Sequence, residues 1–270
     1  MMGHSNHCPR PTIGDMSVHE LPASVRVSLW ATLVLAGELP VVDLPRRALP
    51  DIDETTGLVE AVTLWRDLGE RVVLVALPRP GDLGGMPRAS PELVAAATRA
   101  EECVFVPGLG GALVPLLEVF GTTSDQGWIV RWQGYPADPV PTHRVEALDL
   151  GQTELALRTD LAALTAELAS AGAPPFGEVA ERGAQRARAV RAGAGRWGLP
   201  DGLPPRAVRV IDLAGTVLGL TDAGLDTAHA SVDATSMTRR TQVLQRLQSH
   251  AARALADATN VAALHLAGWR

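Results

Sequence analysis

The chain predicts an α+β (or α/β) fold: an N-terminal mixed sheet of about five strands with flanking helices, followed by an all-α C-terminal half. Three observations carry this expectation. Two dense apolar runs, RVVLVAL at 71–77 and CVFV at 103–106, flank a capped helix start, a pattern that suits strands covered on both faces. Two further strand-like segments, 112–120 and 128–135, enclose the turn-rich GTTSDQG and form a hairpin. From Asp149 onward the period changes, with Leu157, Leu161, Leu164 and Leu168 at i, i+4, i+7 and i+11, the spacing of an amphipathic helix.

In chain order, residues 1–16 form a flexible leader, with Met16 as an alternative start. Residues 17–37 have helical spacing, with Val25, Leu29, Leu33 and Val34 on one face. After a proline-rich connector, Thr55 or Thr56 caps a short helix that aligns Leu58, Val62 and Trp65 and ends near Gly69. Ser90-Pro91-Glu92 supplies an N-cap, a proline at the first helical position and an acid in the first turn, so a helix spans 91–101 with Leu93, Val94 and Ala97 inward. A short fifth strand is expected at 144–150. Gly172 and Pro174 stop the helix that follows, and 177–192 forms a charged, solvated helix. The segment GRWGLPDGLPP at 195–205 is a break. An apolar helix covers 207–226, and a periodic one covers 240–268 with Val243, Leu247, Ala251 and Leu255 aligned. The expected organisation is a leader (1–16), a sheet domain (17–150) and a helical domain (151–270) packed on it or forming a dimer interface.

Composition excludes several chemistries. All 24 basic residues are arginine. Without lysine there is no Walker-type loop, no Schiff-base lysine and no lysine base. GC-rich coding accounts for this composition. A net charge of −6 argues against a general nucleic-acid binder. Cys8 and Cys103 alone cannot build a disulfide framework or a cysteine zinc cluster, and Cys103 reads as a small buried residue at a strand start. The most apolar run, 27–37, is too short to span a bilayer, so no membrane association is expected and the location is expected to be cytoplasmic.

The stretch LPRPGDLGGMPRASPEL, 77–93, is the one candidate site. If strands 71–77 and 103–106 are parallel neighbours joined by a right-handed crossover, both end on one sheet edge. The loops 78–90 and 107–111 then converge beside the N-terminus of helix 91–101, a corner suited to an anion. Arg79 and Arg88 would clamp a phosphate or carboxylate, with Asp82 as acid or base, Ser90 at the helix start, and Gly84, Gly85, Gly108, Gly110 and Gly111 admitting close backbone approach. The bland alternative is that the glycines serve turns and both arginines face solvent. Neither glycine run matches a dinucleotide fingerprint, and no cofactor is implied.

Other constellations are weaker. His4, His7 and Cys8 have metal-ligand types but lie in the leader without a fourth ligand, so no metal site is expected. Asp51, Asp53 and Glu54 suit either Mg²⁺ or the electrostatics of the next helix start. His143, His229, His250 and His265 have no HExxH-like or triad-like company, and no G-x-S-x-G elbow occurs. Trp128 and Trp132 share a strand face as core or interface. Trp197, in a Gly/Pro break, either seals the two halves or meets a protein partner.

The segments RVVLVALPRPGDLGGMPR, ECVFVPGLGGALVP and ASPELVAAATRAEE, with RWGLP and the terminal ADATNVAALHLAGWR, resemble a protein family of high-GC actinobacteria that has no assigned activity. The likeness covers most of the chain after Met16. It implies a host type and transfers no catalytic residue.

The leading functional expectation is a non-enzymatic cytoplasmic binding or regulatory protein whose helical half forms a homodimer, because helices 207–226 and 240–268 offer more apolar face than one small domain needs. The alternative is an enzyme or sensor that binds an anionic small molecule at 78–90 and 107–111.

Overall fold

The computed structural model describes residues 21–122, 125–170, 177–193, 197–227 and 234–269. The expected leader with His4, His7 and Cys8, the histidine at 229 and the helix stop at Gly172 and Pro174 lie outside these residues.

The first helix, α1 (Ala23–Leu35), is buried on almost every side: 11 of its 13 residues are buried, so it is a central element whose burial extends well beyond the face of Val25, Leu29, Leu33 and Val34. Val25 and Leu29 join one hydrophobic cluster, while Ala23, Val27, Ala31 and Val34 join a second. A 3₁₀ turn and a short helix, α2 (Leu44–Ala48), lead to β1 (Glu54–Thr56). Thr55 and Thr56 are therefore strand residues, and the residue before α3 (Leu58–Asp67) is Gly57. Gly57 has φ +81°, and a Cβ there would lie 2.5 Å from the Trp132 carbonyl oxygen, so glycine is required twice over. Leu58, Val62 and Trp65 are buried on α3, as expected.

Then come β2 (Leu74–Ala76), α4 (Pro91–Ala100), β3 (Cys103–Phe105), β4 (Ala112–Thr122) and β5 (Asp125–Tyr135). The sheet is mixed, in the order β1-β5-β4-β3-β2, and only the β1–β5 pair is parallel. The β4–β5 hairpin is as expected. The fifth strand is β1; the expected strand at 144–150 is replaced by the short helix α5 (Thr142–Glu146).

The larger correction concerns β2 and β3, which are neighbours but antiparallel, Leu74 opposite Phe105 and Ala76 opposite Cys103. The chain must leave and re-enter the sheet at the same end. Arg79, just past β2, donates to the Glu101 carbonyl at the end of α4, so the loop start and the helix end lie together. Ala89 bridges to Ala137 beyond β5, whose last residues pair with the start of β4 at the opposite end. Residues 78–90 thus cross the sheet and α4, about 15 Å long, returns. The loop is long because it does the crossing.

The C-terminal half is helical: α6 (Leu150–Ser170), α7 (Gly177–Gly193), α8 (Pro205–Thr227) and α9 (Ala234–Leu266). The α+β class therefore holds. α9 packs on α8 and α6 and also reaches α1 and β2. Its Val243, Leu247, Ala251 and Leu255 are buried within the chain together with α8's Val210, Ile211, Ala214 and Leu218. The apolar faces that suggested a homodimer are therefore largely covered by the chain itself.

β2 lies at the sheet's edge, and its outward backbone groups are met by side chains. Val73 N–H donates to Thr32 Oγ1 at 3.1 Å, and its carbonyl accepts from Ser28 Oγ at 2.6 Å. Asn260 on α9 accepts from Val75 N–H at 2.8 Å and donates to the Val75 carbonyl at 3.0 Å. A buried backbone pair without such partners would be costly. Among the described residues, no helix is long and apolar enough to cross a membrane.

Candidate functional site

The antiparallel arrangement divides the expected anion corner. Arg79 and Asp82 lie at the β2 exit; Arg88, Ser90, Gly108, Gly110 and Gly111 lie towards the other end. Arg79 is buried at 5% exposure, where it donates to the carbonyls of Pro78 and Glu101 at 3.0 and 2.7 Å and pairs with the Glu101 carboxylate at 3.6 Å. A cation at a helix C-terminus satisfies its last carbonyls, so Arg79 is engaged as a cap. Gly84 has φ +57°, and a Cβ there would lie 2.8 Å from the Leu77 carbonyl oxygen, whereas Gly85 is exposed in the same turn at φ +83°. Ser90 caps α4 as expected, accepting from Leu93 N–H at 3.4 Å. Arg88 is exposed.

Residues 137–140 occupy the space between Arg88 and the 107–111 turn. Asp138 N–H donates to the Arg88 carbonyl, Val140 N–H donates to the Pro107 carbonyl, and a Cβ on Gly110 would collide with the Ala137 carbonyl. Gly111 lies against Trp65. The turn does receive an anion, but it is the chain's own. The Glu70 carboxylate accepts from the N–H groups of Leu109 and Gly108, and a Cβ on Gly108 would lie 2.8 Å from its Oε1. Burial raises the Glu70 pKa above the usual carboxylate value, and those two N–H groups offset part of the rise.

The remaining expectations resolve structurally. Asp51 pairs with buried Arg26 at 2.5 Å, and Asp53 accepts from Trp128 N–H at 2.8 Å, prolonging the β1–β5 ladder. Among the described residues, no group of three acids, histidines or cysteines converges as a metal site would require. Cys103 is buried, and its thiol is pushed up to about 12 by burial and by neighbouring Glu102, so it is not a nucleophile. Trp197 is 6% exposed; it donates to Asp212 at 2.6 Å, while Trp30 of α1 donates to the Gly198 carbonyl at 3.0 Å. Trp197 is buried where the segment after α7 meets α1 and α8.

A different site stands out. A cleft of about 540 Å³ lies between α6, α9 and the start of the crossing loop. α9 contributes Arg246, Ser249, His250, Arg253 and Asp257; α6 contributes Thr153, Asp160 and Glu167; the loop contributes Pro80 and Asp82. The α9 residues form one stripe along the helix, turned away from the buried Val243–Leu247–Ala251–Leu255 face. Leu157 and Ala254 form an apolar floor.

Two ion pairs and a histidine–carboxylate hydrogen bond cross the cleft. Arg253 pairs with Asp82, Arg246 with Glu167 at 2.9 Å, and His250 Nδ1 with Asp160 at 2.5 Å. The Asp82 pKa is lowered: burial opposes this, but the Gly84 N–H and Arg253 outweigh it. Asp257 behaves oppositely, pushed up to about 6 because burial outweighs the nearby Arg253 and Asp82 adds repulsion. Two carboxyls in one cleft, displaced in opposite directions, mark a candidate site. Of these residues, only Asp82 stood out in the sequence. His250 gains its acid partner from a helix 90 residues away, which no local motif shows. The usable signal was the polar stripe on α9, which resembles an ordinary solvated face.

No match is found among curated proteins or among solved structures. Residues 24–147 match the N-terminal domain of the Rv1486c-like proteins, and residues 151–256 match their C-terminal domain. The cleft is thus built from both matched regions, Asp82 from the first and α6 with most of the α9 stripe from the second. With these two matches spanning most of its length, the chain belongs to the Rv1486c-like family.

Proposed function

We propose that the protein is a non-enzymatic binding or regulatory protein whose ligand enters the cleft between α6, α9 and residues 80–82. One observation carries this: a cavity of about 540 Å³ in which a partly buried acid has no hydrogen-bonding partner among the described residues. That volume lies in the range of small-molecule sites. The cleft's hydrogen-bonding groups, ion-paired walls and apolar floor suit a small polar compound. A cytoplasmic location is part of the proposal, supported by a cysteine content too low for a disulfide framework. An actinobacterial host is likewise part of it, supported by the lysine-free composition.

The test is a thermal-shift screen of small polar compounds against the full chain and an Ala156→Trp variant, whose indole would fill the cleft from an exposed α6 position. A compound that raises Tm for the parent chain and not for the variant supports the reading. Equal shifts in both would place the ligand elsewhere.

A second reading has one specific support. Asp160 orients His250 in the cleft that also holds Asp257, and a histidine held by a carboxylate can perform general acid–base chemistry. Turnover of a bound compound that is lost in His250→Gln would favour it.

A further inference from the structure

We propose that this cleft takes a small organic cation, a compound bearing a primary ammonium or guanidinium group, with Asp257 as its counter-ion. The inference deepens the binding role given above and rests on it. Charge pairing decides the class. Each basic side chain on the walls already has an acid: Arg253 has Asp82, Arg246 has Glu167 and His250 has Asp160. Asp257 is the acid left over, with no hydrogen bond or ion pair formed to it among the described residues.

An entering anion would have to displace one of those carboxylates and then face Asp257. A cation displaces nothing and relieves an acid that burial holds in an unfavourable charged form. An inorganic divalent cation needs several converging oxygen ligands, and the acids of the cleft are spread along two helices and a loop. An organic cation needs one carboxylate and hydrogen-bonding neighbours. Ser249 supplies a hydroxyl, and Leu157 with Ala254 gives an apolar floor for an alkyl stem. The same head groups occur on lysine and arginine side chains. A cleft of about 540 Å³ has the size of a small-molecule site, which favours the free compound, and the test separates the two sources.

Amide NMR spectra of the ¹⁵N-labelled full chain would be recorded with agmatine, cadaverine, sulfate, glucose and a lysine-containing tripeptide as separate probes. Agmatine or cadaverine should shift the Arg253, Ala254 and Asp257 amides saturably, and Asp257→Asn should weaken that binding tenfold or more. Unchanged affinity in Asp257→Asn would overturn the counter-ion assignment. Shifts of the same amides by sulfate or glucose, with neither amine active, would overturn the cationic class and leave the binding reading intact. Saturation by the tripeptide alone would overturn the small-molecule source. If no probe moves these amides, both readings fall.

Discussion

Asp257 is a residue whose presence costs stability. Its pKa in the folded chain, about 6, lies above the ordinary 3.8, so the folded state holds the proton more tightly than the unfolded state does. Its protonated form is compatible with folding below pH 4. Stability then falls as pH rises from about 4 to 6, and the full penalty stands above that range. At 1.36 kcal/mol per pKa unit, the penalty is at most about 3 kcal/mol. Asp257→Asn removes the charge and keeps the shape, so it should raise Tm by roughly 5–10 °C at pH 7.5 and change it little at pH 4. Thermal melts at the two pH values check this; an equal gain at both would show that burial of the charge is not the cause. At Glu70 the folded state likewise holds its proton more tightly, so its stability contribution also falls as pH rises through the carboxylate range.

At the scale of elements, β2 depends on two helices that are distant in sequence. Asn260 meets both outward backbone groups of Val75 in a buried setting. Asn260→Ala leaves an N–H and a carbonyl without partners, which should cost about 2–4 kcal/mol. Chemical denaturation should show a lower midpoint with an unchanged slope, and a loss under 0.5 kcal/mol would mean that water replaces the amide. Gly84→Ala should also destabilise the chain, by about 2 kcal/mol, because it combines a left-handed backbone with a Cβ 2.8 Å from the Leu77 oxygen. Gly85→Ala meets no atom within 4 Å and should cost about half as much, so comparing the two melts separates the clash from the backbone term.

The elements were legible in unequal measure. The hairpin, the Ser90 cap and the helices α6, α8 and α9 follow from local spacing and capping chemistry. The direction of β2 relative to β3 does not, because a continuous valine run looks the same read either way. The length of the 78–90 loop carried that information, since a turn needs few residues and a sheet crossing needs many. β1 was missed because two threonines followed by a glycine satisfy a helix cap as well as a three-residue strand. The site was legible only at Asp82, since the rest of the cleft depends on α6 and α9 meeting in space.

For the whole molecule, α9 decides how the two matched regions behave. It packs on α6 and α8 and also on α1 and β2, so one continuous helix ties both regions into a single hydrophobic cluster. Trp197 and the Trp30–Gly198 hydrogen bond add a second seal. The chain should therefore unfold as one cooperative unit, with a single calorimetric transition whose van't Hoff and calorimetric enthalpies agree. Two resolved transitions would show that the regions melt independently.

The closure of β2 also bears on what happens when many copies refold together. A bare edge strand rich in valine is a template for strands from other chains, and pairing along it begins aggregation. Here Thr32, Ser28 and Asn260 occupy the hydrogen-bonding positions such a strand would need. Ser28 and Thr32 precede the strand in the chain, but Asn260 follows Val75 by 185 residues. During synthesis the valine strand therefore stays half-guarded until α9 is made, and its Val75 edge stays open to strands of other chains until α9 docks.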